Sequence, residues 1–438
     1  MSEPLVHVLI LNWNGLKHLP ECFASLLRTP YRNIKYVLLD NGSSDGSVGF
    51  LSTEYGGHPN VEIVSLGTNL GWSGGNNRGI ARALEQGADY VFLLNNDTVT
   101  EPDAIPVLVE TAEQQPETGA LAPKLLFHDM PALINSIGLE CSIIGAGWDR
   151  GIGRLDAPKW NAPEPVIGIC GAACVLRANA LRRAGLLPED FVIYLDDLDL
   201  CLRIWNVGYE IRTCPAAVIR HKFGATMGQR AQQRLKYYLN TRNRFRLVLR
   251  HFPISRLHHF LPALLKGEGK AIGRALLDRD IWRITAHLRA WGAAGTNLPR
   301  AVSFRRSHAG GKHAECRFWP FLRTDVLFCP GFELPVDGWY APRRIADLTV
   351  RPMSCRARLN TRGGRLRVTS LNCYPQLGTT NIEVRCNSKP LDVLQTLTRD
   401  ERLLETPPGV LEFVARRVFD ADATGERSDL GGWLAVEQ

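Results

Sequence analysis

The chain has 438 residues, a length typical of roughly two to three domains. Hydrophobic residues make up 45% and charged residues 22%, which excludes wholesale disorder, a collagen-like repeat and a small disulfide scaffold. The net charge of +8 is concentrated between Arg234 and Arg306, where sixteen Lys and Arg accompany three acids. The most apolar stretch, residues 247–265, contains two arginines and three histidines, so we do not expect it to span a membrane.

The eleven cysteines are an odd number, and none of them forms a CxxC pair. Cys170 and Cys174 lack a matching Cys/His set elsewhere, so the sequence indicates neither a zinc site nor a disulfide framework. Reduced thiols in a cytoplasmic protein fit this pattern best. The N-terminus has no basic region followed by a long apolar stretch, and we therefore expect no secretory signal.

The first half of the sequence alternates short apolar runs with helical patterns. Runs rich in Val, Ile and Leu predict buried strands at residues 5–11, 34–39, 61–66 and 90–94. The intervening patterns predict helices at residues 16–27, 76–86 and 103–115. Such alternation predicts an α/β fold with a mostly parallel sheet, in which ligands bind beyond the carboxyl ends of the strands.

The pattern changes twice farther along the chain. An apolar Gly-rich run at 168–176 and a strand pair at 209–212 and 216–219 precede a basic helical stretch. Beyond a linker-like Gly310-Gly311, short alternating strands are predicted at 346–350, 365–370, 382–386, 409–415 and 432–436. We therefore divide the chain into an α/β domain at 1–228, a basic helical segment at 229–309 and an all-β, sandwich-like domain at 310–438.

Polar side chains follow the first two predicted strands. Asn12 and Asn14 come after the first strand, and Asp40 and Asn41 after the second. A carboxylate in this place can accept a hydrogen bond from the imide N–H of uracil or thymine. A turn at Asn41 and a helix cap at Asp45 are the plainer interpretation, which these residues taken alone favour.

The next two loops each leave two alternatives open. Residues 69–77 contain three glycines within five positions, which either lets the backbone approach a ligand closely or makes a flexible loop. Asn95, Asn96 and Asp97 follow the fourth strand, where an acid could hold Mg²⁺ or Mn²⁺ against a diphosphate or simply form a turn. His221 follows a later strand, and a lone histidine is more often structural than a ligand.

An acidic run stands out near residue 197. Three carboxylates fall within four residues, at Asp196, Asp197 and Asp199, and their mutual repulsion is expected to raise at least one pKa towards the range useful for a general base. Asp199 and Arg203 are four residues apart, which is also the spacing of an ordinary ion pair on one helix face.

The order of these motifs is more specific than any one of them. The chain reads, in sequence, Asn-Trp-Asn-Gly, Asp-Asn-Gly-Ser-x-Asp-Gly-Ser, Asn-Leu-Gly-x-x-Gly-Gly-Asn-Asn, Leu-Asn-Asn-Asp, Gly-Ala-Ala-Cys at 171–174, Asp-Asp-x-Asp-Leu-Cys-x-Arg and His-Lys-x-Gly. Over residues 6–250 this order resembles family-2 glycosyltransferases, most closely the rhamnosyltransferase-like branch. The resemblance implies a GT-A fold.

The resemblance also implies a role for each matching residue. Asp97 would be the metal ligand, with His221 helping to hold the Mg²⁺ or Mn²⁺ ion or the diphosphate. Asp197 matches the catalytic base, and Arg203 would stabilise the leaving diphosphate. Asn95 stands where many members have Asp, which removes one charge from the metal site. The implied donor-binding residues are Asn12, Asn14, Asp40, Asn41, Gly71, Gly75, Asn76, Asn95 and Asn96.

The implied reaction is inverting transfer of a hexose, with rhamnose as the best match, from a dTDP or UDP donor. The acceptor would be a hydroxyl of a cell-surface polysaccharide or a lipid-linked glycan, and no nucleic-acid partner is expected. The alternative is a catalytically inactive glycan-binding or membrane-associated scaffold.

Two further segments keep two interpretations each. The basic segment either contacts an anionic membrane peripherally, on the cytoplasmic face, or is a solvated helical linker. The C-terminal domain resembles β-sandwich modules appended to bacterial surface-polysaccharide enzymes. There Trp339 or Tyr340 would bind carbohydrate, although a core position is somewhat favoured for both.

Overall fold

The structure is a computed structural model that describes residues 3–222, 230–308, 316–326, 340, 343–345, 348–353, 356–361, 364–371, 380–395, 399–415 and 432–437. The chain divides into two compact units. The first comprises Met1–Ile152 and Ala157–Pro330, and the second comprises Gly153–Asp156 and Gly331–Gln438. The linker-like Gly310-Gly311 lies outside the described residues.

The first unit alternates strands and helices before three long helices. Its strands are β1 (Val6–Asn12), β2 (Ile34–Asp40), β3 (Val61–Ser65), β4 (Tyr90–Asn95), β5 (Thr98–Thr100), β6 (Thr118–Phe127), β7 (Ile134–Ser136), β8 (Leu139–Ser142), β9 (Gly147–Asp149), β10 (Ala173–Arg177), β11 (Glu210–His221) and β12 (Leu322–Arg323). Its helices are α1 (Leu19–Leu26), α2 (Ser47–Tyr55), α3 (Gly71–Glu85), α4 (Ala104–Gln114), α5 (Ala178–Ala184), α6 (Asp196–Asn206), α7 (Arg230–His251), α8 (Leu257–Leu277) and α9 (Ile281–His308).

One large sheet organises this unit. Its strand order is β3-β2-β1-β4-β10-β6-β11-β5, with β7 paired to β6. The pairs among β1 to β4 are parallel, whereas β10 runs antiparallel to both of its neighbours and β5 antiparallel to β11. The predicted α/β fold with a mostly parallel sheet is confirmed. Because β1, β2 and β4 are parallel neighbours, their carboxyl ends meet at one edge.

Both faces of the sheet are covered, which explains the apolar runs of the strands. On β1, Leu9 packs into one hydrophobic cluster, while Val8 and Ile10 pack into the other. Alternate side chains of a strand point to opposite faces, so a strand buried on both faces must be apolar throughout.

The structure corrects several element boundaries. The glycine-rich segment predicted as a loop is the first half of α3, so the helix begins at Gly71 rather than at Asn76. The predicted strand pair at 209–212 and 216–219 is a single strand, β11, with a register shift between Cys214 and Val218. The short helix α2 and the fully buried β6 were not predicted.

The second unit is all-β, as predicted. Its strands are β13 (Arg343–Ile345), β14 (Leu348–Met353), β15 (Arg356–Thr361), β16 (Gly364–Leu371), β17 (Asn381–Cys386), β18 (Lys389–Gln395), β19 (Arg399–Thr406), β20 (Gly409–Ala415) and β21 (Gly432–Glu437). They form two antiparallel sheets, ordered β13-β14-β21-β16-β19 and β15-β20-β17-β18. Residues of both sheets, including Val368 and Phe413, share one hydrophobic cluster, as in a sandwich.

The described part of the C-terminal unit tests one of its two aromatic candidates. Tyr340 is buried, which is the position that the sequence favoured for it, so its ring is not presented to a glycan. Trp339 lies outside the described residues.

In the first unit, none of the helices in the described ranges is long and apolar enough to cross a bilayer.

Candidate active site

A polar network joins the ends of β1, β2 and β4. Strand register places Asn12 directly beside Asp40, and both side chains are buried. Asn12 Nδ2 donates to Asp40 Oδ1 at 3.3 Å and to Ser43 Oγ at 3.1 Å, while Asn12 Oδ1 accepts from Asn96 Nδ2 at 2.6 Å. Asn12 therefore fixes the relative positions of the Asp40 carboxylate and the loop after β4.

Asn14, in the loop after β1, holds the loop after β2. Its backbone is in the left-handed region at φ 51°, its N–H donates to Ser43 Oγ at 2.9 Å, and its Oδ1 accepts from Ser44 N at 2.8 Å. These contacts order the rim beside Asp40. The predicted grouping of Asn12, Asn14 and Asp40 at one edge is present in the structure.

Asn41 has a different environment from the one predicted. Its side chain is buried; Nδ2 donates to Asn69 Oδ1 and Gly71 O, both at 3.1 Å, and Oδ1 accepts from Leu70 N at 2.8 Å. Gly71 follows with φ +76°, where a Cβ would lie 3.3 Å from Val192 O. Asn41 thus anchors the entry to α3, and its contact with the donor stays a prediction.

Two other predicted donor-binding residues pack inside α3. A Cβ on Gly75 would lie 2.4 Å from Leu11 Cδ1, so this glycine allows the helix to approach β1 closely. Asn76 is buried and its Nδ2 donates to Trp72 O at 3.0 Å. Gly75 and Asn76 therefore have packing roles in α3, and their contact with the donor stays a prediction.

The loop after β4 brings together the predicted metal ligands. Asp97 Oδ1 lies 3.3 Å from His221 Nε2, and both side chains are largely buried. His221 Nδ1 contacts Asn135 Oδ1 at 2.8 Å, which orients the ring. Burial would raise the pKa of Asp97, but the hydrogen bond and charge of His221 outweigh it and the pKa is lowered.

A converging carboxylate oxygen and imidazole nitrogen suit Mn²⁺, and the carboxylate also suits Mg²⁺. Within the described ranges no group of three or more His, Cys, Asp or Glu side chains could hold a metal ion. The protein thus offers a pair of ligands, and a bound ion would need oxygens from a ligand. Asn95 does not add to this pair, because its Oδ1 accepts from Trp72 Nε1 at 3.3 Å.

The acidic run begins helix α6. Asp197 Oδ1 accepts from Leu198 N at 2.8 Å, and its Oδ2 accepts from Gly171 N at 3.1 Å. Asp196 is buried and accepts a short hydrogen bond from Ser73 Oγ of α3. Burial, and then the adjacent Asp196 charge, raise the pKa of Asp197 well above the usual range of a carboxyl group.

A tryptophan joins the acidic turn to the strand edge. A Cβ on Gly171 would lie 2.7 Å from Trp72 Cζ2 and 3.5 Å from Asp197 Oδ2. Trp72 also bonds Asn95, and Asn95 N donates to Ala172 O at 2.9 Å. Asp197, Trp72 and the loop after β4 therefore border one site. Sequence analysis missed Trp72 and Gly171 as site residues, although both lie in motifs that it quoted.

Asp199 and Arg203 form a buried structural network. Arg203 Nε donates to Asp199 Oδ2 at 3.0 Å, and its terminal nitrogens donate to Ala184 O and Leu186 O. Asp199 Oδ1 is 2.8 Å from His251 Nε2 of α7. The guanidinium of Arg203 is buried and bonded within the fold, which does not favour its predicted role in stabilising a leaving diphosphate.

The turn that enters α6 has an unusual backbone. Val192, Tyr194 and Leu195 have φ angles of 70°, 71° and 62°. These are rare conformations for residues with a Cβ, and each costs on the order of 1–3 kcal/mol unless the surroundings impose it. The segment that positions the acidic residues is therefore strained.

Helix α7 holds this turn in place. Asn243 is fully buried, and its Nδ2 lies 3.0 Å from Phe191 O, 3.0 Å from Ile193 O and 2.9 Å from Tyr194 O. Arg242 Nη2 donates to the same Phe191 carbonyl at 2.9 Å. The basic helical segment thus supports the acidic turn, a role that no local sequence signal indicated.

A further carboxylate borders the acidic turn. Asp149, at the end of β9, has a buried Oδ1 without a hydrogen-bond partner. Burial raises its pKa, against hydrogen bonds from Ser136 and Cys170, and its charge contributes to the raised pKa of Asp197. Sequence analysis did not single out this residue, because its neighbours carry no motif.

Two protein-family models match the first unit of the chain. The family model described as glycosyl transferase family 2 matches residues 7–138. The model described as glycosyl transferase family group 2 matches residues 90–277. Together these matches include the polar edge, the acidic turn, α7 and α8.

Curated relatives are similar over about half of the chain. An N-acetylglucosaminyl-diphospho-decaprenol L-rhamnosyltransferase of Mycobacterium tuberculosis is 29% identical over 240 residues, covering 50% of this chain and 76% of that protein. The low-salt glycan biosynthesis hexosyltransferase Agl10 of Haloferax volcanii is 26% identical, covering 48% and 66%. A poly-beta-1,6-N-acetyl-D-glucosamine synthase of Staphylococcus epidermidis is 23% identical, covering 53% of each chain.

Solved structures overlap partially. TarS 1-349 of S. aureus is 14% identical, with a TM-score of 0.47 over 68% of this chain and 83% of that one. The mannosyltransferase PcManGT of Pyrobaculum calidifontis, in complex with GDP-Man and Mn2+, is 17% identical, with a TM-score of 0.41 over 73% and 84%.

Proposed function

Residues 7–277 are a glycosyltransferase family 2 domain, and on this premise we propose that the protein transfers a hexose, with inversion, from a nucleoside-diphosphate donor to a glycan hydroxyl. One observation carries the proposal. Asp197, whose pKa is raised, borders the same site as the polar ends of β1, β2 and β4, through Trp72 and Gly171.

The donor nucleotide lies, in this proposal, against the ends of β1 and β2. The Asp40 carboxylate is held by Asn12 Nδ2 and by Ser43 N, which donates to Oδ2 at 3.1 Å. Each carboxylate oxygen keeps a lone pair for the imide N–H of uracil or thymine. We therefore assign Asp40 to the base, with Asn14 at the rim, and we take dTDP or UDP as the donor nucleotide.

The diphosphate lies near Asn96 and Asp97. Asp97 and His221 would hold a divalent cation, Mg²⁺ or Mn²⁺, which would neutralise charge on the diphosphate. Asn96 is placed to orient this group, since its amide is fixed by Asn12. Because Arg203 is bonded elsewhere, it takes no part in this charge balance.

Asp197 acts as the general base. It removes the proton from the acceptor hydroxyl as that oxygen attacks the anomeric carbon of the donor. The bond from this carbon to the diphosphate oxygen breaks, and its electron pair leaves with the nucleoside diphosphate. A single in-line displacement inverts the anomeric configuration. The raised pKa suits this step, because a base works best when its pKa lies near the working pH.

For the sugar and the acceptor we propose rhamnose or a similar hexose and a lipid-linked or cell-surface glycan, made on the cytoplasmic side of the membrane. The printed name of the M. tuberculosis relative supports this choice, since it describes an L-rhamnosyltransferase acting on a lipid-linked N-acetylglucosamine diphosphate.

A second candidate is an inactive glycan-binding scaffold. Asn95 favours it, because the amide replaces an acid and faces Trp72 instead of Asp97. This candidate predicts glycan binding without nucleotide binding, so a nucleotide-binding measurement separates the two.

The test is thermal unfolding with dTDP, UDP and GDP, each with and without Mn²⁺. The variants are Asp97→Ala and, as a matched control, Asp129→Ala, whose side chain is 88% exposed. A ligand at a hundredfold excess over its Kd stabilises the native state by about 2.7 kcal/mol. We expect one uracil or thymine nucleotide to raise the Tm with Mn²⁺ in the wild type and in Asp129→Ala, and to lose this effect in Asp97→Ala. No shift with any nucleotide would favour the scaffold.

A further inference from the structure

Helix α8 presents an apolar stripe that is exposed in the described part of the chain. Ile254, in the turn before the helix, is 74% exposed, and Leu257, Leu261 and Leu265 are 41%, 37% and 64% exposed. Spacings of three and four residues place such side chains on one helix face. Contiguous exposed leucines are unusual on a soluble surface and mark a contact site.

The opposite side of α8 is firmly packed, so the direction of the stripe is fixed. Glu268 is buried and pairs with Arg244 of α7. Its Oε2 is also 2.8 Å from His287 Nδ1 and accepts from Trp291 Nε1 at 2.7 Å, both in α9. Phe260 packs into the main core. These contacts orient the helix with its leucines outward.

The exposed charges beside the stripe are positive. Glu268 is the single acid among residues 250–277, and it is buried and paired. Lys266 and Lys270 are exposed, and in the part of the chain that the structure describes neither forms an ion pair. An apolar stripe bordered by lysines is complementary to a surface that is both apolar and anionic.

We propose that this face of α8, defined by Ile254, Leu257, Leu261 and Leu265 with Lys266 and Lys270, docks on an anionic lipid bilayer. The leucines would enter the boundary between headgroups and acyl chains, and the lysines would contact anionic headgroups. A second copy of the chain fits less well, because pairing two such faces brings like charges together. A nucleic acid would leave the leucines without a partner.

The docking deepens the proposed function, and its purpose rests on that function. It would hold the enzyme at the membrane surface, where a lipid-linked acceptor lies. Helix α7 connects the two sites, because it contacts α8 through Arg244 and the acidic turn through Asn243. The membrane contact itself is measurable without any turnover.

The experiment is co-sedimentation of the full chain with vesicles of phosphatidylcholine, alone or mixed with phosphatidylglycerol. The variants are Leu261→Ser/Leu265→Ser and Lys266→Gln/Lys270→Gln. The matched control is Val393→Ser/Leu403→Ser on the second unit, where these side chains are 40% and 61% exposed. All changes are at exposed positions, and an unchanged Tm confirms folding.

We expect the wild type and the control to bind the anionic vesicles and to ignore the neutral ones. The leucine pair should weaken partitioning by about tenfold or more. The lysine pair should weaken it by about thirtyfold at low salt and less at high salt. Equal binding to both vesicle types, no loss in either variant, or a leucine-dependent dimer in sedimentation equilibrium would overturn the proposal. If the wild type binds anionic vesicles but no nucleotide raises its Tm, the docking stands and the proposed function is contradicted.

Discussion

The strand edge and the acidic turn border the same site but are built in opposite ways. At the edge, register alone places Asn12 beside Asp40, and the supporting contacts come from loops that follow neighbouring strands. At the turn, Val192, Tyr194 and Leu195 have strained φ angles, and the turn is held by Asn243, about fifty residues later in the chain.

The difference shows where preorganisation costs stability. A strand end satisfies its polar groups with ordinary geometry, whereas a strained turn persists only when distant contacts impose it. The acidic turn therefore should be the part of the site that mutations in α7 can loosen while the strand edge stays intact.

Asp197 and Asp199, both in the first turn of α6, have pKa values shifted in opposite directions. Burial and the charge of Asp196 raise the pKa of Asp197. Burial would also raise the pKa of Asp199, but His251, Arg203 and Arg250 lower it well below its usual range. The neighbours of these two carboxylates thus shift their pKa values in opposite directions, which suits the proposed role of Asp197 as the base and of Asp199 as a structural anchor.

The largest expected effect follows from Asp197→Asn. The amide keeps the volume but cannot accept the acceptor proton, so kcat should fall by about 10²–10⁴-fold. Nucleotide Kd should be unchanged, because the strand edge is untouched. Turnover measured with the donor and a glycan acceptor gives kcat, and nucleotide titration gives the nucleotide Kd.

Folding provides the control for this variant. A raised pKa in the native state means that Asp197 contributes stability below the pKa of the unfolded chain and loses it as pH rises through the native pKa. Asp197→Asn should therefore be at least as stable as the wild type at neutral pH. Wild-type kcat in this variant would rule out Asp197 as the base.

Asn243→Ala should reduce kcat by about ten- to a hundredfold. Three carbonyls of the strained turn lose a buried donor, which costs roughly 1–3 kcal/mol and frees the residues before Asp196. The control is Asn240→Ala in the same helix, whose Nδ2 donates only to Lys236 O one turn earlier. It should behave as wild type.

The kcat and nucleotide Kd together distinguish positioning from general destabilisation. If Asn243 positions the turn, kcat falls at temperatures far below Tm while nucleotide Kd stays constant. A parallel loss of both, tracking the fraction unfolded, would mean that Asn243 acts only through stability.

Asp196→Asn should shift the pH profile. Asp197 accepts a proton only when ionised, so kcat should rise with pH along an acid limb set by its raised pKa. Removing the neighbouring charge lowers that pKa, and the limb should move to lower pH. An Asn at 196 can still accept from Ser73 Oγ, which keeps the α3 contact. A limb that does not move would show that burial alone sets the pKa of Asp197.

Local sequence predicted the strand edge because its logic is local. Val, Ile and Leu runs located β1, β2 and β4, and parallel strands bring their ends together, so Asn12 and Asp40 could be grouped before the structure was known.

Local sequence could not predict what depends on distant packing. Arg203 matched a motif, but its bonds to Ala184 O and Leu186 O follow from how α5 and α6 meet. The hydrogen bonds from Asn243 require α7 to cross the turn, and no periodicity in the sequence indicates that crossing. The glycines of α3 were predicted to lie in a loop for the same reason, since flexible loops and close helix packing both favour glycine.

The smallest expected effect concerns those glycines. A Cβ on Gly75 would lie 2.4 Å from Leu11 Cδ1 and force α3 away from β1, so Gly75→Ala should cost about 1–3 kcal/mol of stability and leave nucleotide Kd unchanged. Gly49→Ala in α2 is the control: no atom lies within 4 Å of its Cβ, and alanine should stabilise this helix by about 0.5–1 kcal/mol. Chemical denaturation and nucleotide titration measure the two effects. If Gly75→Ala weakened nucleotide binding without loss of stability, the glycine would approach the donor after all, and the strand edge would extend into α3.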